Sequence, residues 1–499
     1  MERRKFLQML GGGAVTVGAA AGFARPRKRP NLLLITADDM GVTAGCYGDT
    51  TVATPRLDAL AKSGVQFMRG YVTQASCSSS RSSMFTGLYP HQNGQLGLAN
   101  RGYTMHRGVP TLPMLLKQNG YRTGVFGKVH VHPESDLPFD WNVHRPQGLD
   151  TRDVRACAAY AEQFLQESGD TPWFLLASFS DPHKPFPPQV EGLPEKPIGP
   201  EDISPFAVHG EIDTPAVRQE VAGYYNAVQR VDWGVGLLLD LLERTQTLKD
   251  TLIVFVGDHG PPFSRGKTTC YEFGVHVPFL VAGRGVKPAV RSEFVSTVDI
   301  MPTLLRAARI DFDPPTGSRE LQPILLGGRP TWRESICTEF TTHGPGFAPQ
   351  RAIRDDRYKL IHNLLPGRRK PGIGVDRCKI KDALSDPKWA DTRAKRAFAV
   401  IEDPPEFELY DLTQDPIEYD NLAGRPEGAE VEQRLKAELL AWRRTTQDPL
   451  LDANAFDALK QYTDDFNKEH QKVRAAAIAS GEKPPYRRID MTPFQRDWE

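Results

Sequence analysis

The sequence predicts an α/β protein in which a large sheet is sandwiched by helices, followed by a smaller C-terminal antiparallel sheet with a helix. Three observations predict it. Residues 31 to about 330 alternate short apolar runs with helical patterns, the texture of an α/β domain. Four of those runs have too few polar positions to face water on either side, as strands of a parallel sheet do. From about residue 331 the texture changes to short strand-like segments and one amphipathic helix.

Taken in chain order, residues 1–24 read as a targeting signal rather than structure. Arg3 and Arg4 precede Phe6 and Leu7, and a Gly/Ala-rich run extends from Met9 to Ala24. That run is too short and too glycine-rich to span a bilayer well. The paired arginines and the Ala21–Ala24 ending point to twin-arginine export, giving a periplasmic or secreted protein with no integral membrane segment once the signal is removed. A frayed basic N-terminus is the alternative. Residues 25–330 then form the large domain and 331–499 the smaller one.

Asn31 to Thr36, Gly124 to Gly127, Trp173 to Phe179 and Thr251 to Gly257 are the predicted buried strands. Thr54 to Gly64, opening with Pro55, and Ala216 to Glu243 are predicted helices. In the smaller domain, Glu334 to Phe340, Gln350 to Asn363 and Phe407 to Leu412 read as strands, and Val431, Leu435 and Leu439 mark one helix face. The segment after Pro449 reads as a polar extended wrap or mobile tail. Loops at 131–150, 184–215 and 341–375 are expected to shape a pocket.

Composition narrows the function classes. The chain has 62 Lys+Arg against 62 Asp+Glu, so nothing argues for a nucleic-acid or membrane-surface partner. Any grip on an anion must come from a local cluster of cations. The cysteines at 46, 77, 157, 270, 337 and 378 show neither metal-type spacing nor a disulfide framework.

Each predicted strand of the large domain ends in chemically useful residues. They are Asp38-Asp39, Lys128-Val129-His130, Asp181-Pro182-His183 and Asp258-His259. Ligands of open α/β sheets bind beyond the carboxyl ends of parallel strands, so neighbouring strands would bring these endings to one crevice. Capping or turn roles are the plain alternative for each residue alone.

The stretch Cys77-Ser78-Ser79-Ser80-Arg81, continuing to Gly87, resembles the signature of the formylglycine-dependent sulfatases of the alkaline phosphatase superfamily. Ser79 stands where that family usually has proline or alanine. The resemblance implies that a maturing enzyme oxidises Cys77 to formylglycine (3-oxoalanine), whose hydrate attacks sulfur. It implies an alkaline-phosphatase-like fold, and a calcium ion held by Asp38, Asp39, Cys77, Asp258 and His259. It further implies that Arg81, Lys128 and His130 position the nucleophile, and that His183 protonates the leaving atom. Lys267, in Gly266-Lys267-Thr268-Thr269-Cys270, would hold sulfate oxygens, and Lys128, His183 and Asp181 would join it in binding substrate. Further stretches, among them His91-Gln92-Asn93-Gly94 and Val228-Gln229-Arg230-Val231-Asp232, resemble the sulfamidases and their bacterial relatives most closely. The implied substrate is a sulfated saccharide, with a heparin-like glucosamine N- or O-sulfate in view. Two other readings stay open at this point: phosphomonoester or phosphodiester hydrolysis on the same fold, and non-catalytic binding of a sulfated glycan.

Overall fold

The computed structural model describes residues 28–143, 150–344, 346–368, 378–485 and 487–498. The targeting signal read at residues 1–24 lies outside the described residues. The large unit is an eight-stranded sheet. Its strands are β1 (Asn31–Ala37), β2 (Gly64–Tyr71), β3 (Arg122–Gly127), β4 (Trp141–Val143), β5 (Trp173–Phe179), β6 (Thr251–Gly257), β7 (Phe279–Gly283) and β8 (Ala289–Ser296). The order is β4-β3-β5-β1-β6-β7-β2-β8, and only β7 runs against the others.

Alternation along β1 builds a core on both faces. Leu33, Ile35 and Ala37 join one apolar cluster, with the helices Pro55–Ser63, Val154–Ser168 and Pro215–Arg244. Leu32 and Leu34 join the other, with the helices Cys77–Thr86, Leu112–Gln118 and Ile300–Ala307. Each of these buried Leu and Ile side chains contributes on the order of 1.5–3 kcal/mol. The long helix starts where the sequence requires it, with Pro215 in the first turn and Thr214 Oγ1 accepting from the Val217 N–H at 3.3 Å. Its Asp232 caps a second helix, accepting from the backbone N–H groups of Arg56 at 3.0 Å and Leu57 at 2.8 Å.

The smaller sheet is antiparallel, in the order β12-β11-β10-β9. It comprises β9 (Ile336–Phe340), β10 (Gln350–Arg354), β11 (Tyr358–Asn363) and β12 (Phe407–Asp411). Val431, Leu435 and Leu439 pack on it from the helix Ala429–Thr445. One expectation is corrected. The segment after Pro449 is not an extended wrap, because Ala453–Ala479 is a continuous helix opened by Asp452, whose side chain accepts from the Ala455 N–H at 3.0 Å. The chain then returns, with Ile489 N–H donating to Arg101 O at 2.8 Å. Among the described residues the six cysteines form no disulfide with one another. Among the described residues, no helix is long and apolar enough to cross a membrane.

Candidate active site

The strands singled out for their polar endings are four consecutive neighbours, β3-β5-β1-β6. Register levels their tips: Gly127 pairs with Ser178, while Ala37 pairs with both Phe179 and Gly257. Backbone bonds then tie the endings together, from Asp38 N–H to Asp181 O at 3.1 Å and from Asp258 N–H to Ala37 O at 3.0 Å. Lys128, Asp38 and Asp258 therefore leave the sheet at one height.

Cys77 reaches the same place from β2, as the first residue of a wholly buried helix, Cys77–Thr86. A buried helix rich in serine must satisfy its hydroxyls internally. Ser82 and Ser83 donate to Ser79 O at 2.8 and 3.2 Å, and Ser78 Oγ accepts from the Ala99 N–H at 2.9 Å. Ser79 Oγ accepts from Gln74 Nε2 at 3.1 Å, so the residue that departs from the family pattern has a bonded role. Gly87 closes the helix in the left-handed region, at φ 68°, where its N–H donates to Ser83 O.

Ligand atoms of Asp38, Cys77, Asp258 and His259 all lie within 4.8 Å of one another, and all four residues are buried. His259 Nδ1 sits 2.9 Å from Gly260 O, and a carbonyl can only accept, so Nδ1 carries the proton and Nε2 faces the cluster. Nε2 lies 3.2 Å from Cys77 Sγ and 3.1 Å from Asp39 Oδ1. Burial opposes a charge on this imidazole, yet Asp258, Cys77 and Asp39 outweigh it and raise its pKa to about 10. Asp39 stands one step outside the quartet. Its N–H donates to Asp258 Oδ1 at 2.8 Å and its Oδ1 lies 3.0 Å from Lys267 Nζ. Among the described residues, Oδ1 of Asp38 is buried without a hydrogen-bond donor, which is where a bound cation would contribute most. Carboxylates in this number suit a hard divalent cation.

Cations surround the acids. Arg81 Nε donates to Asp258 Oδ2 at 2.9 Å, and its Nη1 donates to Ser178 Oγ at 2.8 Å and Lys128 O at 2.9 Å. Lys128 Nζ donates to Asp38 Oδ2 at 2.6 Å. Burial alone would raise the Asp38 carboxyl, but Lys128, His183, Arg81 and Lys267 hold it well below the usual range. His183 presents Nε2 at 3.9 Å from Asp39 Oδ2 while its Nδ1 donates to Lys184 O at 2.6 Å. His130 takes φ +56°, and burial, with Lys128 beside it, keeps its ring neutral. Cys77, an acid cluster, Lys128, Lys267 and His183 thus lie together at the strand ends.

Asp181 is placed differently from its sequence reading as a substrate contact. Both of its oxygens are taken by buried Arg230, at 2.6 and 3.2 Å, and Arg152 Nε lies 3.4 Å away. It fixes the turn that carries His183. Two features escaped the sequence reading. Arg152 Nη2 donates to His183 O at 3.0 Å, and His343, from the turn after β9, places Nδ1 2.9 Å from Ser76 Oγ, next to Cys77. An isolated histidine in a loop carries no spacing signal; only its place in the 341–375 loop pointed to it.

Comparisons with known proteins give matches in both sequence and fold. The Sulfatase family profile matches residues 30–310. Human N-sulphoglucosamine sulphohydrolase is 33% identical over 472 residues, covering 86% of this chain and 92% of its own. An ulvan-active sulfatase of Formosa agariphila is 29% identical over 433 residues, covering 85% and 82% respectively. Among solved structures, the phosphonate monoester hydrolase of Agrobacterium radiobacter superposes with a TM-score of 0.64 at 21% identity, covering 84% of this chain and 96% of that one.

Proposed function

The chain belongs to the sulfatase family of sulfuric ester hydrolases, and from that premise we propose that it removes the sulfate of a sulfate ester or sulfamate on a saccharide, with heparin-like glucosamine sulfate as the substrate class. The convergence of Asp38, Cys77, Asp258 and His259 within 4.8 Å carries this reading, with Lys128, Lys267 and His183 facing the same hollow. The human relative, named for N-sulphoglucosamine, supports the sugar class.

Asp38, Asp39, Asp258 and His259 would hold a calcium ion, with the oxygens made from Cys77 completing the set. Once oxidised, Cys77 would supply an attacking hydroxyl, and a bound cation would supply positive charge against the sulfate oxygens. The encoded thiol marks the place of those oxygens, at the N-terminus of a buried helix whose free N–H groups favour an anion. Arg81 holds Asp258 and the floor of the site. Lys128 and Lys267 clamp sulfate oxygens as charge moves onto the leaving group. His183, oriented by its Nδ1 bond, delivers a proton from Nε2 to the leaving oxygen or nitrogen. Export by the twin-arginine route, after oxidation of Cys77 in the cytoplasm by a maturing enzyme, fits the basic leader.

The test is sulfate release from defined N- and O-sulfated glucosamine saccharides, run beside an aryl sulfate and an aryl phosphate. The tryptic peptide spanning Cys77 should be about 18 Da lighter than encoded. Cys77→Ala should abolish turnover without changing the melt. An intact thiol in active enzyme, or a clear preference for phosphate, would remove this reading.

A further inference from the structure

The small sheet also reaches the neighbourhood of Cys77. Strand β9 runs toward the large unit, where Glu339 N–H donates to Thr73 O at 2.7 Å, and the chain then turns across the start of the Cys77–Thr86 helix. That turn is pinned from several sides. Gln74 Nε2 donates to Thr342 O at 3.0 Å as well as to Ser79 Oγ, and Leu98 N–H donates to His343 O at 3.3 Å. Thr342 Oγ1 bonds the carbonyls of Gly344 and Gly346 at 2.7 and 2.9 Å. Thr342 packs so closely that a side chain at Gly97 would meet its Cγ2 at 2.8 Å. Ser79 takes part in this anchoring, since a proline there would give Gln74 no hydroxyl acceptor.

The ring these anchors position is His343. Its Nδ1 is fixed by Ser76 Oγ at 2.9 Å, the residue retains 7% exposure, and among the described residues Nε2 has no hydrogen-bond partner. The groups that act on the ring are Lys267, His259, His130 and Lys128, all members of the site. Burial, with Lys267, His259 and Lys128 nearby, keeps His343 neutral, well below the usual histidine range. A neutral imidazole adds little to a clamp already holding lysines, but it is a directional partner for an uncharged hydroxyl or amide.

We propose that His343 is a specificity-determining residue, whose Nε2 hydrogen-bonds an uncharged polar group of the sugar ring that bears the sulfate. The inference rests on the saccharide reading above and adds the residue that recognises the sugar. The small domain would then contribute directly to substrate choice, and Ser76 would orient the ring that does so.

The experiment compares His343→Ala, His343→Gln and Ser76→Ala in the fully matured enzyme on a sulfated glucosamine saccharide and on a small aryl sulfate. Leaving a buried polar contact unmade typically changes discrimination by about 10–100-fold. His343→Ala should therefore lower kcat/KM on the saccharide at least about tenfold more than on the aryl sulfate. It should also weaken competitive inhibition by the desulfated saccharide more than inhibition by free sulfate. His343→Gln should recover part of the loss, and Ser76→Ala should show the same pattern more weakly. Parallel losses on both substrates with a lowered melt would make His343 a prop for the helix start and overturn the proposal. An unchanged substrate ratio would overturn it as well. Wild-type enzyme that cleaves the aryl sulfate but no saccharide would instead remove the saccharide reading, and this inference with it.

Discussion

A carboxylate can serve a reaction without meeting the substrate, and Asp181 is such a case. Burial pushes its pKa up, and the guanidinium of Arg230, gripping both oxygens, works in the other direction. Arg152 joins the same carboxylate to the carbonyl of His183. Removing one member of a buried pair typically costs about 3–5 kcal/mol, because the other charge stays buried and unpaired. Arg230→Met should therefore lower unfolding free energy by about that amount in urea titration. The double variant Asp181→Leu/Arg230→Met should regain much of it, since the buried charge goes too. Activity should follow the histidine rather than the melt: the double variant should lose more rate on substrates with poor leaving groups than on aryl sulfates, whose leaving oxygen needs little protonation. Equal losses on both would show that His183 does not depend on this anchor.

Among the elements, the turn after β3 decides whether Lys128 arrives at the right height. Gly127 ends the strand at φ +86°, and a Cβ there would lie 2.0 Å from Ser178 O. The left-handed conformation alone costs an L-residue about 1–2 kcal/mol, and the clash with neighbouring backbone adds to it. Gly127→Ala should lower the melt and reduce sulfate release at least tenfold, whereas Gly120→Ala, at φ +81° with open space around it, should affect only the melt. Comparable activity losses from both would show that displacement of Lys128 is not the cause. The elements legible from sequence are those with a strong pattern. Strands β1, β3, β5 and β6 are apolar on both faces, and their polar endings announced the site. The helix Ala453–Ala479 was illegible because it buries only Leu459, Thr463 and Ala477, too few to give 27 residues an apolar stripe. Gln350 to Asn363 resolved into the hairpin β10–β11, whose Asp355–Arg357 turn is polar. The meeting of Cys77, Lys128 and Asp258 was readable because each sits in a short motif at a strand end or helix start. Asp181 was misread because a motif does not say which way a side chain turns, and His343 because tertiary structure alone brings it near.

Across the whole molecule, a buried chain of charges joins the two sheets. His91, just after the nucleophile helix, holds Glu339 of β9 through its backbone N–H at 2.9 Å and its Nδ1 at 2.6 Å. Glu339 Oε2 lies 3.4 Å from Arg351 Nε of β10, and Arg351 grips Asp448 at 2.8 and 2.9 Å. Arg443 Nε donates to the same Asp448 at 2.7 Å. Burial disfavours both carboxylates, but Arg351, Arg443 and His91 outweigh it at Asp448, and His91 and Arg351 do so at Glu339. Both groups are therefore stronger acids folded than unfolded. Such a group contributes its full stabilisation above the ordinary carboxylate range and loses it as pH falls toward its depressed folded value. Asp448→Asn leaves two arginines short of a counter-charge, so at pH 7 it should cost about 3–5 kcal/mol in urea unfolding. Because the wild type surrenders part of this stabilisation in acid and the amide does not, the gap should narrow by about 1 kcal/mol between pH 5 and pH 3. A gap that stays constant with pH would mean that Asp448 is no stronger an acid folded than unfolded. The same network seats β9, and with it the turn that carries His343. Asp448→Asn should therefore weaken sulfate release even at temperatures where it remains folded, tying the strength of this charge chain to the shape of the hollow.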